Sequence, residues 1–570
     1  MGVVGRITAC SIGLRGGVSY ETYAEKNSFS CCCCCGILIA GCMRGGGDKS
    51  SGGSDASLTI GMPNGTISSK QFNPFLTSGM TVIATAPVYE PVAIVNAVDL
   101  SKDPEPWLAS NIEWSDDYKS VKFTARDGVK WADGEDFTAE DIAYTYQLFV
   151  DHPELDLNAI GVTGTSVDGN VATVEFEKSM FVKTSQVLTK PIVAKHVWEK
   201  LDDVTALDID LMGTGPYKLK QFSTEAVTLE ARDDYWGGTP AVKTLYLQSF
   251  NDNTMLLNAL GSGDVDWAQI SQPPNVETAY INKDKEHNKN WAPSTMGVDM
   301  MYLNTAEKPF NNVAFRKAVN MVVDRAKHAQ IAREGIVDPI TSVTGLPTAG
   351  NTFIIDKYKG QETKVDVNGA KKILTDAGYS YQGDKLIDPD GEVVSFEISV
   401  PQGWTDYVTG ISLIADEVKE LGVDVNVKTP DSDTWTENVN NGKFGAILHW
   451  IDTGNTAYDF YSDVMDGRWL KPVGEAASYN FGRYDNEQAT EALNTYANTT
   501  DETERQKALE EIETIWVEDV PAISLGNRPD TAQYNTRKFT GWPDDDNPYV
   551  SPNPTLYTMV SILAKLKAVK

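Results

Sequence analysis

The chain has 570 residues, 41% of them hydrophobic and 9% aromatic, which is enough apolar material for several cores and, at about 150 residues per folding unit, too long for one small domain. Its 49 Lys and Arg face 80 Asp and Glu, a formal net charge of −31, so a nucleic acid would be repelled over most of the surface. All seven Cys lie at or before Cys42 and the five His (His152, His196, His287, His328, His449) are scattered, which removes disulfides, thiolate metal sites and a Cys nucleophile from the body and leaves no zinc-binding pattern.

From Phe29 to Gly41 the chain is apolar apart from Ser30, and it ends in Ile39-Ala40-Gly41-Cys42. This is the layout of an exported segment too short to span a bilayer as a stable helix. Ile39-Ala40-Gly41-Cys42 resembles the lipobox of bacterial lipoproteins, which implies cleavage before Cys42 and a lipid on its sulfur; an ordinary signal peptide is the alternative. Residues 42–56 are rich in Gly and Ser and read as a flexible tether. Gly45 to Ser50 lacks the spacing of a phosphate loop. The run Cys31 to Cys35 is odd for a hydrophobic segment. A Leu/Ala-rich signal decoded out of frame would give it, so residues 1–35 are expected to be a frame or start-site artefact, which peptide mapping of the precursor checks.

In the body, Thr138 and Asp141 form a capping signature ahead of Ile142, Tyr146 and Phe149, which share one helical face. Gly213, Gly215 and Pro216 predict a turn before a strand Tyr217 to Phe222, and Trp131-Ala132-Asp133-Gly134 a turn closing a hairpin. A short helix is expected from Asn368 to Gly378. Asp388-Pro389-Asp390-Gly391 lacks the remaining ligands of a calcium loop and reads as a tight hairpin turn. Ile411, Ile414, Val418 and Leu421 form a helical stripe closed by Gly422, and Val423, Val425 and Val427 alternate as a strand. Thr499 and Glu502 read as the box of a helix to Asp519 with Leu509, Ile512, Ile515 and Trp516 inward. Asp544 to Asp546 read as a solvated loop. The mixture is α/β, with helices covering sheets.

Trp107-Leu108-Ala109, Ser115 to Lys119, Phe123 to Gly134, Phe137 to Asp141, Gly213 to Tyr217, Asp234-Tyr235-Trp236, Tyr302 to Thr305 running on to Ala318, and Ala377-Gly378-Tyr379 follow one another in an order that resembles the family 5 extracellular solute-binding proteins of ABC importers. The resemblance implies an α/β, two-lobed periplasmic-binding-protein-like fold (type II, cluster C) with an extra subdomain in lobe I. It implies 1–41 as signal peptide, 42–56 as tether, 57–304 as lobe I with the subdomain, 305–525 as lobe II and 526–570 as a return to lobe I. Asn304 and Thr305 are expected near one crossing between lobes and Ser524 to Asn527 near the other.

The function implied is capture of a solute by hinge closure and delivery to permease subunits, with the protein a monomer held by its lipid on the extracellular face of the cytoplasmic membrane. Gly403-Trp404-Thr405-Asp406 and Phe539 to Pro543 with Asn547-Pro548-Tyr549 resemble the cello-oligosaccharide-binding branch. Flat rings at Trp404 and Trp450 suit the apolar faces of a pyranose, and Asn73, Asp406, Asp452 and Asn455 suit its hydroxyls. The expected ligand is thus a β-gluco- or manno-oligosaccharide, with an oligopeptide as the alternative. Core packing competes with a site role for Trp404 and Trp450, and is the expected role of Trp469 and Trp542. No motif nominates a nucleophile, a metal or a cofactor, so a secreted carbohydrate-active enzyme ranks last.

Overall fold

Two sheets divide the chain between them. In this computed structural model the described residues are 56–569, apart from 64–69, 77–78, 224–225, 251, 271–274 and 452–453. The signal, the tether, Cys42 and Asp452 therefore lie outside the described residues. The first sheet has seven strands in the order Asn288–Trp291, Ala532–Asn535, Trp267–Ala268, Ser57–Pro63, Thr244–Phe250, Ala226–Ala231 and Tyr217–Phe222. The second has five, in the order Asp424–Lys428, Ser395–Ser399, Ala446–Ile451, Val298–Leu303 and Ala522–Asn527. Each is the centre of one lobe of an α/β fold.

The extra subdomain of the first lobe is a four-stranded antiparallel sheet, Ala109–Trp114, Ser120–Ala125, Val171–Phe176 and Val162–Asp168. Val121, Phe123 and Ala125 alternate inward against the helix Ala139–Asp151, which starts with the expected Thr138 and Asp141 capping box. Ile142, Tyr146 and Phe149 are buried on that helix as its periodicity predicts. In the second lobe the helix Thr405–Val418 runs through a 3₁₀ turn to Gly422, whose φ of 77° ends it before the strand Asp424–Lys428. The helix expected from Asn368 is Val367–Asp376, capped by Asp366. The helix expected from Thr499 begins later, at Glu502, because Asp501 accepts the Glu504 N–H while Thr499 closes the preceding helix Glu487–Asn498.

The chain passes between lobes at 292–297 and again at 528–531. The two passages run side by side, with Arg528 N–H donating to the Gly297 carbonyl at 2.9 Å and Asp530 N–H to that of Pro293 at 3.3 Å. Ser524 to Asn527 lie next to this pair. Asn304 does not: it stands at the far end of the strand Val298–Leu303, its amide donating to the Gly442 and Phe444 carbonyls at 2.9 Å each.

Three of the ordered sequence blocks meet at one carboxylate. Glu90 is fully buried and accepts from Trp107 Nε1 at 2.6 Å, Tyr235 Oη at 2.7 Å and Trp236 Nε1 at 3.0 Å, with the Thr214 hydroxyl beside them. Burial raises its pKa and these donors pull it back. Arg232, also buried, donates to the carbonyls of Gly213, Gly215, Lys130 and Trp131 at 3.1–3.2 Å. Gly213 and Gly215 are required by close approach: a Cβ on Gly213 would overlap the backbone of Val88, and one on Gly215 that of Pro87 and Val88. Glu90→Gln turns an amide N–H₂ toward these donors and is expected to lower stability by about 1–3 kcal/mol, read by urea unfolding; unchanged stability would show that the donors do not need the carboxylate.

Candidate functional site

The lobe II sheet ends, beside the two passages, in a cluster of rings and charges. Asp299 is the one acid in the buried strand Val298–Leu303, where it pairs in register with Trp450 of the neighbouring strand. Its carboxylate is 1% exposed, accepts the Tyr407 hydroxyl at 2.6 Å and is paired with Arg333. Arg333 also pairs with Asp406 and lies 4.9 Å over the Tyr407 ring. Burial opposes the charge on Arg333, but Asp299, Tyr407 and Asp406 outweigh it and hold its pKa above the ordinary value. Tyr407 and Asp406 stand on the first turn of the helix Thr405–Val418, and Trp404 is its N-cap residue.

Trp404 and Trp450 are half-buried, with ring centroids 5.4 Å apart and planes tilted by 49°. Trp404 also meets Trp435 edge-on at 5.1 Å, and His449 stacks on Trp450 at 4.4 Å. Burial pushes the His449 imidazole down to about 4, so this ring is neutral near pH 7. The Arg528 guanidinium, on the first residue of the return passage, lies 4.4 Å over the Trp450 ring. After Trp450 the chain reaches Asn455, half-buried, at the start of the helix Ala457–Met465, where Asp459 accepts Thr456 N–H at 3.0 Å and Thr456 Oγ1–H at 2.7 Å.

The structure thus brings Trp404, Asp406 and Trp450 together, with Asn455 five residues on from Trp450. Asn73 is a correction. It is fully buried in the first lobe, with its amide donating to the Val204 and Ala206 carbonyls at 2.9 and 3.0 Å and its oxygen accepting Phe75 N–H at 3.1 Å, which leaves little for a solute. Trp542 packs in the first lobe, stacked on Tyr534 at 4.8 Å, as expected. Trp469, expected in the core, is 44% exposed. Asp299, Arg333, Tyr407 and Arg528 were not expected. A lone acid in an apolar run was the available signal for Asp299, whereas the two arginines carry none.

Other candidates resolve as structural. Gly391 has a φ of 91° and Asp388 N–H donates to the Glu392 carbonyl at 2.8 Å, which makes this the expected hairpin turn. The Lys308 ammonium sits among Asp388, Asp390 and Glu392 at 2.9, 2.6 and 3.3 Å. Asp545 accepts the Trp291 indole N–H at 2.7 Å. Among the described residues no helix is long and apolar enough to cross a membrane, and no three His, Cys, Asp or Glu are grouped to hold a metal ion.

Residues 103–469 match the family described as bacterial extracellular solute-binding proteins, family 5 Middle. A Streptomyces lividans protein designated XP55 is 27% identical over 435 residues, covering 74% of this chain and 76% of its own. The oligopeptide-binding protein OppA of Bacillus subtilis is 23% identical over 486 residues, covering 79% of this chain and 82% of its own. A periplasmic oligopeptide-binding protein of an ABC transporter from Thermotoga maritima superposes with a TM-score of 0.78 at 23% identity, covering 90% of this chain and 99% of its own. Its crystal form with bound mannohexaose gives 0.70 at 23% identity, with 91% and 99% covered.

Removing the cation from the buried pair tests the frame of the cluster. Arg333→Met leaves the buried Asp299 carboxyl without its cation and is expected to cost about 3–5 kcal/mol of stability in denaturant unfolding; a loss below about 1 kcal/mol, the scale of an exposed pair, would show that water reaches Asp299.

Proposed function

The chain belongs to the bacterial extracellular solute-binding proteins of family 5, and from that premise we propose that it captures an oligosaccharide between its lobes and delivers it to the permease of an ABC importer. The observation that carries this reading is the half-buried pair Trp404 and Trp450, set beside Asp406 and Arg528 at the lobe II end from which the passages leave. The Trp404 indole, with fixed charged groups beside it, suits a pyranose, whose C–H faces stack on indoles while its hydroxyls take hydrogen bonds. In this reading Trp404, Trp450, Asp406, Asp452 and Asn455 contact a β-gluco- or manno-oligosaccharide, and the mannohexaose held by the Thermotoga maritima protein of like fold supports it. The solute bridges both lobes, binds the closed form better and shifts the hinge population toward it. The lobes exchange at 292–297 and 528–531.

An oligopeptide is the second reading, favoured by the name of the Bacillus subtilis relative. Thermal shift decides between them, because saturating ligand raises the melting temperature only if it binds the folded state. Cellohexaose or mannohexaose is expected to raise it and penta-alanine is not; the reverse result overturns the oligosaccharide assignment. Trp404→Ala is expected to weaken the bound sugar by about tenfold or more, the scale of an aromatic anchor, in a titration. Unaltered affinity removes Trp404 from the site.

Cys42 is proposed as the lipidated first residue of a monomeric mature protein on the outer face of the cytoplasmic membrane, where two acyl chains hold far more firmly than one. Cys42→Ala is then expected to release the protein or leave it unprocessed. Unchanged membrane fractionation and processing would exclude the anchor.

A further inference from the structure

The small subdomain of the first lobe reaches the second lobe through the turn Phe181–Lys183. Phe181 keeps one edge contact within its own lobe, with Tyr118 at 5.3 Å. From the second lobe, Tyr496 meets it edge-on at 6.0 Å, and the Arg505 guanidinium lies 3.5 Å from its ring centroid. Val182 is 4% exposed and packs into the core of the second lobe, and Leu100 packs against the same core.

The receiving side is held by bonds within its own lobe. Arg505 donates through Nη2 to the Thr499 carbonyl at 2.5 Å and pairs through Nη1 with Glu502 at 2.9 Å, so its planar group is fixed as a platform. Lys183, on the subdomain side, donates to the Asn158 and Ala159 carbonyls at 2.9 and 2.8 Å. A groove of about 790 Å³ opens beside Phe181, Phe353, Tyr496 and Arg505, so water has access to the edge of the contact.

Neither passage at 292–297 or 528–531 carries these residues, and none of them is among the solute contacts assigned above. We propose that Phe181 and Val182 form a clasp that closes with the lobes and positions them, so that this subdomain sets solute affinity from outside the cleft. The proposal rests on the hinge-closing reading of the preceding subsection. Opening the hinge would return an aromatic and a branched apolar side chain to water and take Phe181 off the Arg505 platform. The contact therefore favours the closed state whatever the solute, and a larger closed fraction lowers the apparent dissociation constant of every ligand that needs it.

Two variants test this on the full mature chain. Phe181→Ala removes the ring, and Arg505→Lys keeps the charge but loses the planar stack. Small-angle scattering without ligand reads the open population, and calorimetric titration with mannohexaose and with penta-alanine reads affinity. In both variants the ligand-free radius of gyration is expected to rise, the affinity for whichever probe binds to fall about tenfold, and the wild-type radius to return at saturation. Phe181→Trp, which keeps an aromatic face on Arg505, is expected to behave as wild type. A ligand-free radius and an affinity both equal to wild type in Phe181→Ala overturn the clasp, even if the melting temperature falls, because that pattern is ordinary packing. If neither probe binds the wild-type protein, the ligand class proposed above fails, and the ligand-free radius alone decides: a rise supports the clasp and no change overturns it.

Discussion

Glu90 is fully buried, so the fold has to bring donors to its carboxyl group. It does so from distant parts of the chain: the indole of Trp107 at the entry to the subdomain, and the hydroxyl and indole of Tyr235 and Trp236 at the end of a lobe I hairpin. Arg232 answers with the opposite charge, gathering the carbonyls of the Trp131 turn and of the Gly213 and Gly215 segment. Together they fix how the subdomain sits on the first lobe, since each partner contributes backbone or side chain from a different element. This gives the ordered sequence blocks a physical meaning. They are scattered along the chain because a buried carboxylate and a buried guanidinium need several partners each, and one segment cannot supply them all.

The same constraint appears at the candidate site, with a different result. Asp299 is buried in an apolar strand and draws Arg333 and Tyr407 onto itself. Arg333 then reaches Asp406, so the helix that follows Trp404 is tied to the strand Val298–Leu303. A ring cluster held this way is ordered without a ligand, which would reduce the entropic cost of binding one. Its position beside the paired passages links it to the hinge, because Arg528 belongs to the returning passage and lies over Trp450.

The subdomain runs from the first of these centres to the second lobe. It is locked to the first lobe through the Trp107 and Glu90 contact and meets the second through Phe181. A rigid attachment at one end is what allows a contact at the other to act on the angle between lobes. Without the buried groups that fix its base, the subdomain would move independently and the Phe181 contact could not bias the hinge.

The α/β class, the helices beginning at Thr138 and closing at Gly422, and the family were legible in the sequence, because each rests on local periodicity, on caps within a few residues, or on short ordered blocks. Trp404, Asp406 and Trp450 were likewise singled out by residue type. What the sequence did not disclose is partnership over long separations. Asn73 looks as available as Asn455 until Val204 and Ala206 are seen to take its amide. Arg333 and Arg528 are two arginines among many until one is buried on Asp299 and the other lies over Trp450. The passage at 292–297 is invisible until the strand Val298–Leu303 is found in the second sheet. The sequence by itself determined which segments form helices and strands, since backbone propensity and side-chain period act over a few residues. Only the tertiary structure decided which polar groups are buried and paired in the service of the fold, because burial and pairing depend on residues brought together from distant parts of the chain.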